Sequence, residues 1–114
     1  MDKQSRRDAI RDYKEKATQS GVYAVRCAAT GEVWVAGAAN VESQQTRNWF
    51  SLRMGGHMNK AMQAAWNAHG EAGVSFEIVE SIEAGELTPL GLADCIKDRE
   101  RHWLAALGAK KAVG

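Results

Sequence analysis

Residues 21–37, GVYAVRCAATGEVWVAG, contain two short runs of alternating apolar residues on either side of a turn. Alternation with a period of two is typical of a strand with one buried face, and Thr30-Gly31 supplies the turn. We therefore predict an antiparallel hairpin. Tyr23 and Trp34 occupy matching places on its two strands, and core packing is the simplest explanation for this aromatic pair.

The composition is that of an ordinary globular domain, with 114 residues, 45% hydrophobic and 25% charged. A net charge of +1 does not mark a whole-protein nucleic-acid binder, so any basic surface has to be local. The charged N-terminus has no apolar signal core, and no run approaches the ~20 apolar residues of a membrane span. We expect a cytoplasmic protein with no membrane partner, in which Cys27 and Cys95 form no CxxC pair and stay reduced.

Helical spacing of apolar residues predicts an amphipathic helix over 3–17. Asn40 can cap a second helix over 41–54, which Gly55-Gly56 would end. A third helix is predicted over 58–69, MNKAMQAAWNAH, and a third strand in VSFEIVES, residues 74–81.

Thr88-Pro89 is a favourable start for a last helix, which would end at Gly108. The predicted order is α-β-β-α-α-β-α, an α+β fold with a small three-stranded antiparallel sheet flanked by helices. The expected organisation is an N-terminal helix, one domain and a short tail, at residues 1–20, 21–108 and 109–114.

These elements resemble those of the GIY-YIG nuclease superfamily over about residues 21–107. GVY at 21–23 matches the GIY tripeptide with one conservative change. VWVAG at 33–37 occupies the place of the YIG strand, with Trp34 for tyrosine and Ala36 for glycine, or with Gly37 as the glycine in another register. Three later segments also match in order: LRMGGHMNKAMQAAWNAHG, FEIVE and KDRERHWL.

The resemblance implies a metal-dependent endonuclease that hydrolyses phosphodiester bonds. The family is understood to use a tyrosine, an arginine on the next helix and a glutamate that binds a divalent ion. Tyr23 matches the tyrosine, Glu100 the glutamate and His57 a histidine that follows the arginine helix. Glu100 would hold one Mg²⁺ or Mn²⁺, since a hard cation accepts a single carboxylate completed by water and phosphate oxygens. The implied partner is nucleic acid, with DNA favoured.

The chain also departs from the family pattern. The arginine position falls on Gln44, which is neutral, and the helix histidine falls on Asn48. Arg47 lies three residues after Gln44 on the same helix face, so we predict that Arg47 supplies the phosphate-facing cation. Trp34 has an indole N–H but no hydroxyl, which leaves proton transfer to Tyr23, with His57 as a candidate helper.

Two other functions stay open. A binding module that lost the chemistry would contact nucleic acid through Arg47, Arg53, Lys60 and exposed aromatics, with Trp34 as a candidate, and would show a strong salt dependence. A plain interaction protein would be a homodimer through its first helix. In these cases Tyr23 is a packed strand aromatic and Glu100 a solvated helix residue.

For the endonuclease, low sequence specificity is expected unless a separate specificity protein supplies it. An Arg47 side chain that points toward Tyr23 and Glu100 would favour the catalytic hypothesis. One that points to solvent would favour loss of catalysis.

Overall fold

The computed structural model describes residues 19–85 and 87–112, and the helix predicted over 3–17 lies outside them. The predicted hairpin is confirmed: strand β1, Ser20–Cys27, pairs antiparallel with β2, Val33–Ala38. The other edge of β1 pairs antiparallel with β3, Val74–Ile82. β1 is therefore an interior strand of the sheet.

The sheet has four strands rather than the three predicted, in the order β3-β1-β2-β4. The fourth, β4, is Lys110–Lys111 and pairs parallel to β2. The pairing is extended where the backbone N–H of Ala112 donates to the Val35 carbonyl at 2.9 Å. Residues expected in a tail thus form an edge of the sheet, with both lysine side chains exposed.

Helices α1, α2 and α3 span Gln44–Met54, Lys60–His69 and Pro89–Leu107, with a short 3₁₀ turn at Glu71–Gly73 before β3. The predicted start of α3 is confirmed, since the Thr88 hydroxyl accepts from the Gly91 N–H at 3.0 Å. α1 begins three residues later than predicted. Asn40 instead forms a turn in which its carbonyl accepts from the Ser43 hydroxyl at 3.1 Å.

The sheet separates two apolar cores. Alternate β1 residues, Tyr23 and Val25, face a core filled by α1 and α2, whereas Val22 and Ala24 face a core covered by α3. Trp34 lies in the first core with Tyr23, which confirms the core packing expected of the pair. Their places on the two strands do not match, however, since Tyr23 is opposite Ala36 and Trp34 is opposite Val25. Within the described ranges, no helix combines the length and hydropathy needed to cross a membrane.

Candidate active site

A cavity of about 310 Å³, which we call the Tyr23 cavity, opens beside α1 and the loop before α2. Three of the four predicted catalytic residues line it, namely Tyr23, Arg47 and His57. Gln44 and Asn48, at two of the positions where the sequence departs from the family pattern, line it as well. The structure therefore brings residues from β1, α1 and the following loop to one concave site.

Tyr23 is almost fully enclosed, with 1% of its surface exposed and its ring stacked on Phe76 at a centroid separation of 5.1 Å. Its hydroxyl oxygen accepts a long hydrogen bond of 3.4 Å from the Asn48 side-chain amide. Burial raises the pKa of Tyr23; the Asn48 bond opposes this, and the nearby negative charge of Glu100 adds to it. The free site therefore holds a neutral phenol at neutral pH.

The hydrogen bonds of His57 assign its tautomer. Nδ1 accepts from the backbone N–H of Asn59 at 3.0 Å, so Nδ1 carries no proton. Nε2 then carries the proton and donates to the Asn48 side-chain oxygen at 2.6 Å. Burial lowers the pKa of His57, which favours this neutral form. Both ring nitrogens are occupied, so His57 has no free lone pair with which to accept a proton from a substrate.

Asn48 connects His57 to Tyr23. Its oxygen accepts from His57, which directs its amide nitrogen toward the Gln44 carbonyl, at 2.7 Å, and the Tyr23 hydroxyl. Asn48 is 6% exposed, so few water molecules can replace these partners. We call this arrangement the His57–Asn48–Tyr23 chain. It places a hydrogen-bond donor on the Tyr23 oxygen, where negative charge would develop on deprotonation.

Arg47 and Gln44 occupy the cavity differently. The Gln44 side chain donates to the Asn40 carbonyl at 3.2 Å, so its amide is used at the start of α1. Arg47 is exposed, lines the cavity, and has no ion-pair partner among the described residues. Its guanidinium is therefore available to an anion that enters the cavity.

Glu100 lies on α3, the helix that covers the core on the other face of the sheet from the Tyr23 ring. Its negative charge is one of the causes that raise the pKa of the Tyr23 hydroxyl. Gly37 on β2 allows α3 to come close. A Cβ at residue 37 would lie 2.4 Å from Cγ2 of Ile96 and 3.6 Å from Cβ of Glu100. A larger residue would push this part of the helix outward, together with the carboxylate.

The candidate ligand for a divalent cation is the carboxylate of Glu100. In the part of the chain that the structure describes, no three His, Cys, Asp or Glu side chains cluster as metal ligands. Glu100 is partly exposed, lines a second cavity and has no ion-pair partner among the described residues. One free carboxylate fits Mg²⁺ or Mn²⁺ if water and phosphate oxygens complete the coordination, but it is not a closed protein site.

No family model and no curated protein matches this chain. The structure is similar to the catalytic domain of the homing endonuclease I-TevI, with 27% identity, a TM-score of 0.64, and 78% of this chain and 88% of that chain covered. A mutant of the catalytic domain, described as that of an intron endonuclease, matches at 26% identity and the same TM-score, covering 79% and 84% of the two chains. The chain has a GIY-YIG-like fold.

The expected GIY-YIG resemblance and the α+β architecture are thus confirmed. On this fold, Gly37 meets α3, while Ala36 faces the opposite core and lies directly across from Tyr23 in the β1–β2 register. The close approach between strand and helix therefore uses Gly37, the glycine of the alternative register.

Three of the residues predicted to contact nucleic acid, Trp34, Arg53 and Lys60, do not line the Tyr23 cavity. Trp34 is 1% exposed and packs in the core, so its ring has no free face on which a base could stack. Arg53 forms an ion pair with Glu71, which partly neutralises its charge. Lys60 is exposed at the first residue of α2 and is not among the residues that line the Tyr23 cavity.

Sequence reasoning noted Asn48 as a departure but missed its connecting position between His57 and Tyr23. It also missed the cations beside Glu100: Lys97, Arg101 and Lys111 line the second cavity with it. The spacing of Lys97 and Arg101, which are four residues apart and so one helical turn from each other, was the available signal. Lys111 had no such signal, because its position depends on the unpredicted β4.

Proposed function

We propose that the chain is a metal-dependent endonuclease that hydrolyses phosphodiester bonds of nucleic acid, with DNA favoured. The observation that carries the proposal is the convergence of Tyr23 and Arg47 on one cavity, within a fold similar to that of an endonuclease catalytic domain. The two side chains come from β1 and α1, so only the folded chain brings them together. A hydroxyl is suited to proton transfer, and a guanidinium that has no ion-pair partner among the described residues is suited to binding phosphate oxygens.

In this proposal Arg47 replaces the family arginine from a position one turn further along α1. Gln44 cannot offset phosphate charge, and its side chain is engaged with Asn40. The guanidinium of Arg47 can make two parallel hydrogen bonds to phosphate, a geometry that no amide provides.

Tyr23 is the proton-transfer residue, and Glu100 would hold Mg²⁺ or Mn²⁺. When bound there, the cation supplies positive charge to the phosphate oxygens. The Glu100 charge is one of the causes that raise the pKa of Tyr23, so its neutralisation favours loss of the Tyr23 proton. The Asn48 amide supports the same change, since it donates to the phenolic oxygen.

The test is cleavage of labelled single-stranded and duplex DNA with Mg²⁺, Mn²⁺ or EDTA. We expect cleavage that requires the metal. Tyr23→Phe should lower the rate by about 10²–10⁴-fold as a lost proton-transfer group. Arg47→Gln and Glu100→Gln should each lower it by about 10²–10³-fold, as for a lost electrostatic contact to the transition state.

Two substitutions provide matched controls. Arg53→Gln removes a guanidinium from the same helix, but one that pairs with Glu71 and lies outside the Tyr23 cavity. Asp98→Asn removes an exposed carboxylate from α3 two residues before Glu100. Both should cleave at close to the wild-type rate. Wild-type protein that is folded but cleaves none of the substrates would refute the endonuclease proposal.

The alternative is a catalytically inactive module of the same fold that binds nucleic acid or protein. The raised pKa of Tyr23 favours it, because a neutral buried phenol is a poor base in the free protein. Retention of DNA without cleavage under every metal condition would support a nucleic-acid-binding module. If the protein neither retains nor cleaves DNA, a role in protein interaction is the remaining alternative.

A further inference from the structure

The second cavity, of about 400 Å³, lies between α3 and β4 and is lined by Lys97, Glu100, Arg101, Leu104 and Lys111. We call it the basic groove. Three of its five lining residues are cations and one is an anion, in a protein whose net charge is only +1. The side chains that line the groove therefore carry a local excess of two positive charges.

These cations are available to a ligand. Lys97, Arg101 and Lys111 are exposed, and none of them forms an ion pair within the described ranges. Three other arginines differ in this respect, since Arg26, Arg53 and Arg99 each pair with a glutamate. Lys97 and Arg101 are four residues apart on α3, so they lie on one helix face.

A short segment, residues 57–59, links the Tyr23 cavity to the basic groove. His57 and Met58 line the Tyr23 cavity, and the next residue, Asn59, donates from its side chain to the Lys111 carbonyl at 3.1 Å. Lys111 then lines the basic groove. Glu100 lines the groove, and its charge also acts on Tyr23 in the other cavity. The two cavities are therefore neighbours around the β2–β4 edge.

We infer that the basic groove binds the phosphate backbone of a nucleic-acid strand, next to the bond positioned in the Tyr23 cavity. This inference rests on the proposed function for the class of substrate. Lys97, Arg101 and Lys111 contact successive phosphates, and Glu100 faces the phosphate nearest the Tyr23 cavity. The groove contacts carry no base readout, so they add affinity and orientation rather than sequence specificity.

The test is equilibrium binding of a fluorescently labelled DNA duplex. Binding is measured by fluorescence anisotropy in EDTA at a series of salt concentrations. EDTA prevents metal-dependent cleavage, so binding is measured separately from chemistry. Each lost phosphate contact should reduce the slope of log K against log salt by about 0.9. The variant with Lys97→Gln, Arg101→Gln and Lys111→Gln together should lose about 2 to 3 from the slope.

Lys110→Gln is the matched control. It removes the same charge from the neighbouring residue of β4, but Lys110 does not line the groove, since adjacent strand residues face opposite sides. Lys111→Gln should reduce the slope and Lys110→Gln should not. Equal effects of the two, wild-type slopes in all groove variants, or no binding by the wild type would each overturn the inference.

The outcomes also separate this inference from the endonuclease proposal. A wild-type protein that cleaves DNA, with groove variants that keep the wild-type salt slope, would overturn the groove and leave the catalytic site. A wild-type protein that binds DNA but never cleaves it, with groove variants that lose the slope, would support the groove and refute the catalytic proposal.

Discussion

Variants of His57 distinguish a positioning residue from a general base. Glutamine can place an amide N–H near the position of Nε2, so His57→Gln keeps a donor for Asn48. Asparagine reaches only as far as Nδ1, so His57→Asn keeps an acceptor for the Asn59 N–H and loses that donor. His57→Leu loses both contacts, and none of the three side chains can act as a base at neutral pH.

The expected magnitude follows from the contacts of Asn48. This residue is 6% exposed, and its oxygen accepts from His57 at 2.6 Å. A buried acceptor left without its partner costs about 1–3 kcal/mol, so His57→Leu should lower the free energy of unfolding by about 2 kcal/mol. His57→Gln should lose less than half of that. In cleavage, His57→Gln should stay within about tenfold of wild type, a change of about 1.4 kcal/mol, with His57→Asn and His57→Leu well below it.

Two measurements check this order. Urea denaturation followed by tryptophan fluorescence gives the free energy of unfolding, and single-turnover cleavage gives the chemical rate. A general base would lose about 10²–10⁴-fold in all three variants alike, because none can accept the proton. A fully folded His57→Gln protein as inactive as His57→Leu would therefore refute the positioning role. The stability order tests the His57–Asn48 contact even without any cleavage.

Three further predictions concern stability. Gly37→Ala should lower the free energy of unfolding by about 1–3 kcal/mol because of the close contact with Ile96, and a double-mutant cycle should show a smaller penalty in the Ile96→Ala background. Because burial lowers the pKa of folded His57, the unfolded state binds more protons below about pH 6.5, so the free energy of unfolding should fall as the pH drops from there through the folded pKa. Denaturation at several pH values should show a weaker fall in His57→Gln. Asn59→Ala removes the α2 cap and two bonds to the β4 segment, so it should cost about 1–2 kcal/mol by denaturation and speed hydrogen exchange of the Ala112 amide.

The parts of the fold that depend on local chemistry could be predicted from the sequence. The Thr88 cap with Pro89, and the left-handed Gly108 that ends α3, are interactions within one turn of the chain. The start of α1 depended on which of two nearby polar residues forms the turn, and Asn40 and Ser43 bond each other there. β4 had no sequence signal, because two exposed lysines have no periodicity and form a strand only where β2 offers a free edge.

For the site, spacing identified the helix face of Arg47 but could not describe the surroundings of His57. A position three residues from Gln44 shares its face of the helix, and this follows from helix geometry alone. The state of the His57 ring depends on a backbone N–H two residues later and on an amide contributed by another element. Contacts of this kind are set by the loop conformation, which residue types do not determine.

The aromatic pair of the hairpin has two different positions within one core. In the β1–β2 register Trp34 is opposite Val25, whereas Tyr23 is opposite Ala36. Trp34 is therefore one cross-strand step away from Tyr23, and it does not line the Tyr23 cavity. In the proposed endonuclease the indole N–H therefore cannot replace the second tyrosine hydroxyl, and Tyr23 is the one phenol in the cavity. A neutral phenol in that role needs nearby groups that favour its ionised form or carry the phosphate charge, and under the proposal Asn48 and Arg47 are the cavity residues that meet these two needs.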